Sequence, residues 1–147
     1  MIQRILVATD DSKLSRKAVE AAIDLASSTG AALVAFHVVP RYPTSFFEGA
    51  VAMELDDVGR VERQWAENGR AVVDRVAREA ESAGVKVRAA VAQADGVADA
   101  IMAAVRKHRC DLVVMASHGR RGLSRVLLGS ETQHVLTHSS TPVLVIR

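Results

Sequence analysis

Two hydrophobic patterns alternate along this chain. Short runs of consecutive apolar residues suit strands buried on both faces, and longer stretches with an apolar position every three or four residues suit helices with one covered face. The run at 4–9 (RILVAT) is the first predicted strand. Asp10-Asp11-Ser12 follows, a cluster able to cap a helix start. Ala18, Ala22, Leu25 and Ala26 then fall at helical spacing within a helix over 15–28, stopped by Gly30. A second buried strand spans 31–39 (AALVAFHVV). A long helix is predicted over 57–83, with Val58, Val61, Trp65, Val72, Val76 and Ala80 along its stripe and Gly84 at its end. Val85, Val87, Ala89 and Val91 alternate with Lys86 and Arg88, the pattern of a half-exposed edge strand. A third helix over 96–108, a buried strand over 111–116, a short helix over 130–138 and a last strand over 142–147 (PVLVIR) complete the set.

Strands that alternate with helices imply an α/β domain, here one domain over 1–147. The expected architecture is a five-stranded parallel sheet, Rossmann-like or flavodoxin-like, with strand order 3-2-1-4-5 and helices on both faces. In such sheets ligands sit beyond the carboxyl ends of the strands, where strand order reverses. That rule places a site at the end of strand one (Ala8, Thr9, Asp10), the end of strand four with its loop, and the end of strand two (His37, Val38). The segment 40–56 has no clean period and carries Pro40, Pro43 and Gly49. It holds Tyr42, Phe46 and Phe47, three of the chain's five aromatic residues, and reads either as a lid near a ligand or as a partner surface.

Composition narrows the classes of function. Aromatics make up 3% of the residues, so the core has to be built from Val, Ala, Leu and Ile. Nineteen basic residues against seventeen acidic ones give a net charge of +2, too even to suggest nucleic-acid binding on electrostatic grounds. The single cysteine, Cys110, cannot form an internal disulfide and reads as a quiet, half-buried thiol of a reducing compartment. With no signal-peptide pattern and no apolar run near the roughly 20 residues needed to span a bilayer, a cytoplasmic protein without a membrane partner is expected.

The candidate chemistry lies in the last third. The apolar run ending Val113-Val114-Met115-Ala116 empties into Ser117-His118-Gly119-Arg120-Arg121-Gly122, and Gly129-Ser130 opens the next helix. The first N–H groups of a helix have no partner within it, and the helix dipole favours an anion there. Gly119 and Gly122 are expected to adopt backbone conformations closed to other residues and to let a phosphate approach the main chain. Arg120, Arg121 and Arg125 add positive charge, and a side chain at position 129 is expected to fill phosphate space. Ser130 and Gln133 form an S-x-x-Q capping box. Phosphate binding and a plain turn remain equally open from the loop alone. Asp10 suits ribose hydroxyls or Mg²⁺ better than phosphate, although a bare Asp after a strand is commonly a helix cap. His118 reads as a loop hydrogen-bonding group rather than an acid or base.

These residues resemble the universal stress protein family. The resemblance runs from ILVATDDS (5–12) through HVV (37–39) to the whole segment 111–147. The family's ATP-binding branch carries Gly, two residues, Gly, nine residues, then Gly-Ser or Gly-Thr. In this chain Gly119 is followed by nine residues and then by Gly129-Ser130. The resemblance implies ATP, with or without Mg²⁺, as the cofactor. It implies that Asp10 and Val38 contact the nucleoside, beside Ala8 and Thr9. It also implies that Met115, Ala116, Ser117, His118, Gly119, Arg120 and Gly122 wrap the ribose and phosphates, with Gly129, Ser130, Glu131 and Thr132 closing the phosphate site. Two positions depart from the pattern. Ala116 replaces the first glycine, and its methyl group fits only if the local backbone is not left-handed. Glu131 puts a carboxylate in the first turn of the phosphate-facing helix, where it favours the helix but repels a triphosphate unless Mg²⁺ or arginines offset it.

No nucleophile–base–orienter set is visible, so a nucleotide-dependent stress-response module is expected rather than an enzyme. Adenylyl-transfer and pyrophosphatase relatives of this fold need an HxGH or SGGxDS-like signature after strand one, and TDDS (9–12) has neither. A response-regulator receiver needs an Asp ending strand three and a Lys before strand five; Thr141-Pro142 stands at the latter place. The alternative is a dimeric protein of the same fold that binds no nucleotide. The last strand is apolar on both faces yet falls at a sheet edge, with Pro142 at its start. A homodimer joined through 142–147 explains this, and the resemblance implies one too; the competing explanation is a covering helix of the same chain.

Overall fold

The structure is a computed structural model that describes residues 1–43, 55–119 and 127–147. Among the described residues nine elements follow one another: β1 (Arg4–Ala8), α1 (Lys13–Thr29), β2 (Ala32–Val39), α2 (Leu55–Ser82), β3 (Val87–Gln93), α3 (Val97–His108), β4 (Leu112–Ala116), α4 (Ser130–His138) and β5 (Val143–Ile146). All four strand pairings are parallel, and the sheet order is β3-β2-β1-β4-β5. Strand order therefore reverses between β1 and β4, and the predicted α/β architecture is the observed one.

Side chains of a strand alternate between faces, so each central strand feeds two cores. Ile5 and Val7, Leu33 and Ala35, and Leu112 and Val114 pack with Ala18, Ala22 and Ala26 of α1 and with Val73, Val76 and Ala80 of α2. Leu6, Val34, Phe36, Val113 and Met115 pack on the other face with Ile101 and Val105 of α3 and Val135 of α4. Burial on both faces is what produced the uninterrupted apolar runs in the sequence.

The boundaries shift for identifiable reasons. α1 begins at Lys13 rather than 15 because Ser12 is its N-cap, accepting the Ser15 N–H at 3.2 Å. β3 runs from Val87 to Gln93, beginning two residues later than the alternation from Val85 suggested, because it pairs with β2 from Leu33↔Val87 to Val39↔Gln93. It is an edge strand, as its alternation indicated. In α2 the buried positions are Gly69, Val73, Val76 and Ala80, so the stripe passes through Val73 rather than Val72. Trp65 is half-buried and stacks on Tyr42 with ring centroids 6.0 Å apart. Cys110 is buried more deeply than expected; that burial, partly offset by Arg4, pushes its thiol up to about 11. Among the described residues no helix is long and apolar enough to cross a membrane. Phe46, Phe47, Gly49, Arg120, Arg121, Gly122 and Arg125 lie outside the described residues.

Candidate functional site

The carboxyl ends of β1, β2 and β4 open into a cleft of about 520 Å³. Ala8, Thr9, Asp10, Val38, Met115, Ala116, His118, Gly119, Gly129, Ser130, Glu131 and Thr132 all line it. Ser117 does not. It is buried, its N–H donates to the Ile146 carbonyl at 2.8 Å, and its carbonyl accepts the Gly129 N–H at 2.7 Å. Arg120 and Gly122 fall outside the described residues.

The floor at β1 is held by a dense set of hydrogen bonds. The buried Thr9 donates its N–H to the Phe36 carbonyl at 3.0 Å, and its carbonyl accepts His37 Nδ1–H at 2.7 Å. Its hydroxyl lies 3.1 Å from Ser15 Oγ and accepts the Asp11 N–H at 3.1 Å. Asp11 takes a left-handed conformation at φ 63°, which an Asp tolerates, and this turns the chain from β1 into α1. The Asp11 carboxylate pairs with Arg16 at 3.5 Å and Arg75 at 3.2 Å, whereas Asp10 remains on the cleft wall. Asp10 Oδ1 accepts the Ser12 N–H at 3.0 Å. Glu62 accepts the Tyr42 N–H at 3.0 Å, tying the chain after Pro40 to α2. That bond, then one to Gln93, holds the Glu62 carboxyl below its ordinary range.

Two glycines of the motif also make room for close approach within the protein. Gly119 is not among the described residues at positive φ; the glycines there are Gly30 and Gly84. It is small because a Cβ would come within 2.6 Å of Asp10 Oδ2. At Gly129 a Cβ would meet His118 Cα at 3.2 Å and the Ser117 carbonyl at 3.4 Å. A side chain here would therefore first press on the β4 loop backbone.

The capping box is corrected as well. Gly129, not Ser130, is the N-cap of α4, and among the described residues no side chain caps that end. Ser130 is the first helical residue, so the opening N–H groups of α4 have no capping side chain at the cleft wall. Thr132 is buried, and its hydroxyl donates to the Ala116 carbonyl at 2.8 Å, clamping α4 to the end of β4. It lines the cleft, but its proton is already committed.

Both departures from the family pattern find a structural answer. Ala116 ends a strand and is not left-handed; Asp11 and Arg109 are the described non-glycine residues at positive φ. Its methyl group therefore carries no backbone penalty. Glu131 Oε2 accepts the Ala98 N–H at 2.7 Å, so its carboxylate caps the first turn of α3, whose N-cap Gly96 offers no side chain. The helix dipole of α3 offsets this negative charge.

The sequence reading missed one wall. Phe36, Pro40, Ala94, Asp95, Val97 and Ile101 also line the cleft. Phe36, Val38, Ile101 and Met115 extend the α3-side core into an apolar end, while Asp10, Gly119, Gly129 and Ser130 form the polar end. The signal for this wall was Ala94-Asp95-Gly96, a turn at the carboxyl end of β3, next to β2.

A parallel sheet with a cleft at its switch point, apolar at one end and lined by a helix start at the other, defines a doubly wound α/β protein with a ligand-sized cleft. The match to known proteins is more particular. The model of the universal stress protein family matches residues 1–147, and the chain belongs to that family. Universal stress protein MJ0531 of Methanocaldococcus jannaschii is 31% identical, over 100% of this chain and 83% of its own. Universal stress protein YxiE of Bacillus subtilis is 29% identical over the full length of both. The solved structure of MJ0577 from Methanocaldococcus jannaschii shares the fold at TM-score 0.83 and 24% identity, covering 99% of this chain and 96% of that one. Universal stress proteins solved in complex with cAMP (TM-score 0.73, 22% identity, 99% and 97% covered) and from Arabidopsis thaliana with AMP bound (TM-score 0.69, 19% identity, 98% and 90% covered) share it too.

Proposed function

We propose that this protein binds ATP in the cleft at the ends of β1, β2 and β4, as a nucleotide-dependent stress-response module of the cytoplasm rather than an enzyme. The observation that carries the proposal is the α4 N-terminus, without a capping side chain among the described residues and set across from an apolar end of suitable size. The base takes the apolar end formed by Phe36, Val38, Ile101 and Met115. The Asp10 carboxylate accepts from ribose hydroxyls, and the first N–H groups of α4 with Ser130 donate to phosphate oxygens. The related structures holding cAMP and AMP make adenine nucleotides the first ligands to test.

The residues present fit a nucleotide better than a resident metal. Asp11 is committed to Arg16 and Arg75, and among the described residues no group of three His, Cys, Asp or Glu side chains converges on a metal position. Mg²⁺, where it takes part, would arrive with the phosphates and neutralise their charge. The chain also pairs with a second copy through β5. The strand is at the sheet edge, and Leu144 on it and Leu136 on α4 are 39% and 41% exposed.

The test is direct. Freshly purified protein, denatured and run on an ion-exchange column, should release adenine nucleotide, and MgATP should give a saturable calorimetric titration. Absence of both at millimolar MgATP overturns the nucleotide reading and leaves the alternative, a dimeric interaction protein of the same fold.

A further inference from the structure

A second cleft, of about 480 Å³, opens at the opposite edge of the sheet, where β1, β2 and β3 begin. Its walls carry Arg4, Lys86, Arg88, Lys107, His108 and Arg109, and no carboxylate lines it. In a chain whose net charge is only +2, five formal positive charges on one face leave the rest of the molecule net negative. Among the described residues none of these five cations has an ion-pair partner. The nearby carboxylate is that of Asp111, whose oxygens accept the N–H groups of Gln3 at 2.8 Å and Arg4 at 3.0 Å.

Helix dipoles account for part of this charge only. In a parallel α/β sheet the helix C-termini collect at the edge where strands begin, and each carries roughly half a negative charge. The ends of α1, α2 and α3 together with Asp111 thus offset about half of the five cations. Arg109 adds a second sign of selection for charge. It takes the left-handed conformation that ends α3, at φ 54°, where glycine or asparagine is the ordinary choice. His108 senses the same field: burial first, then Lys107, Arg88 and Arg4, pull its imidazole below the ordinary histidine value.

We propose that this cleft is a binding site for a small condensed-phosphate anion, separate from the nucleotide cleft. Three arginines provide planar forks that match phosphate oxygens, and Lys86 and Lys107 add point charges. Among the described residues no Phe, Tyr or Trp lines it, which leaves single-stranded nucleic acid without its main stacking platform. The concave shape and small volume suit a compact polyanion better than a duplex backbone. The inference does not depend on ATP occupying the other cleft.

Inorganic tripolyphosphate is the probe, titrated into the full-length ¹⁵N-labelled protein at low salt. Saturable shifts are expected at Arg88, Lys107, Arg109 and the His108 ring, and not at Gly119 or Gly129. The Arg88→Gln/Lys107→Gln double variant changes exposed side chains, so its circular dichroism should match the wild type while its affinity falls by at least about tenfold. Added salt should weaken the wild-type interaction more steeply than the variant's. No shifts at millimolar tripolyphosphate, shifts confined to the nucleotide cleft, or equal binding by the double variant would each overturn the proposal. So would a single-stranded RNA fragment that binds the same residues more tightly than tripolyphosphate does.

Discussion

At the scale of single residues, the cleft is shaped by side chains that hold the backbone rather than by ones that reach toward a ligand. Glu131 is the clearest case. Read along the sequence, it is a negative charge in a phosphate-facing turn; in the fold its carboxylate is spent on the Ala98 N–H of another helix. Glu131→Gln should lower stability by about 0.5–1 kcal/mol through the lost charge–dipole term, readable as a fall of a few degrees in thermal midpoint. ATP affinity should not rise, because the charge removed was not opposing phosphate; tighter binding measured by calorimetry would refute that assignment. Gly119 behaves differently. A methyl group there would sit 2.6 Å from Asp10 Oδ2, the movable end of a side chain. Gly119→Ala should therefore leave the urea midpoint nearly unchanged and weaken ATP by more than about tenfold, since it displaces the carboxylate proposed to bind ribose.

At the scale of elements, α2 approaches β2 closely. Gly69 allows it: a Cβ there would lie 2.7 Å from Val39 Cγ2 and 2.8 Å from His37 Cδ2. His37 in turn donates to the Thr9 carbonyl at the end of β1. Gly69→Ala raises helix propensity yet should destabilise the protein by about 1–3 kcal/mol through overpacking, seen as a lower urea midpoint. A stabilised variant would show that the helix moves away at little cost. The element pattern itself was legible in the chain because both-face burial leaves Arg4 and His37 as the only polar positions in β1, β2 and β4. The register of α2 was less so. Its stripe runs through Gly69, a residue that no hydrophobic count includes, and the sequence therefore pointed to Val72 instead of Val73.

At the scale of the whole molecule, two opposed edges of one sheet carry opposite kinds of surface. The carboxyl edge offers helix N-termini and a half-apolar cleft; the amino edge offers five cations and helix C-termini. The flank at β5 carries partly exposed leucines and an edge strand without a further described strand beside it. Leu144→Lys places a charge on that edge, the usual guard against strand pairing. It should convert the proposed dimer to monomer by light scattering, with an unchanged far-ultraviolet spectrum. A variant that stays dimeric would move the interface off β5.

What the sequence determined by itself is whatever depends on local pattern: the order of strands and helices, the parallel sheet that such alternation demands, and the motif from Ala116 to Ser130 that marks the end of β4. Hydrophobic period and chain connectivity suffice for these. Tertiary structure alone decided how the motif's residues are used. Glu131 caps α3 rather than facing phosphate, Thr132 clamps the Ala116 carbonyl, and Gly129 makes room for the backbone of His118. It also decided that Arg4, Arg88 and Arg109, from three separate elements, line one cleft. Each of these depends on distances between residues far apart in the chain, which pairing of strands and packing of helices create and no local pattern encodes.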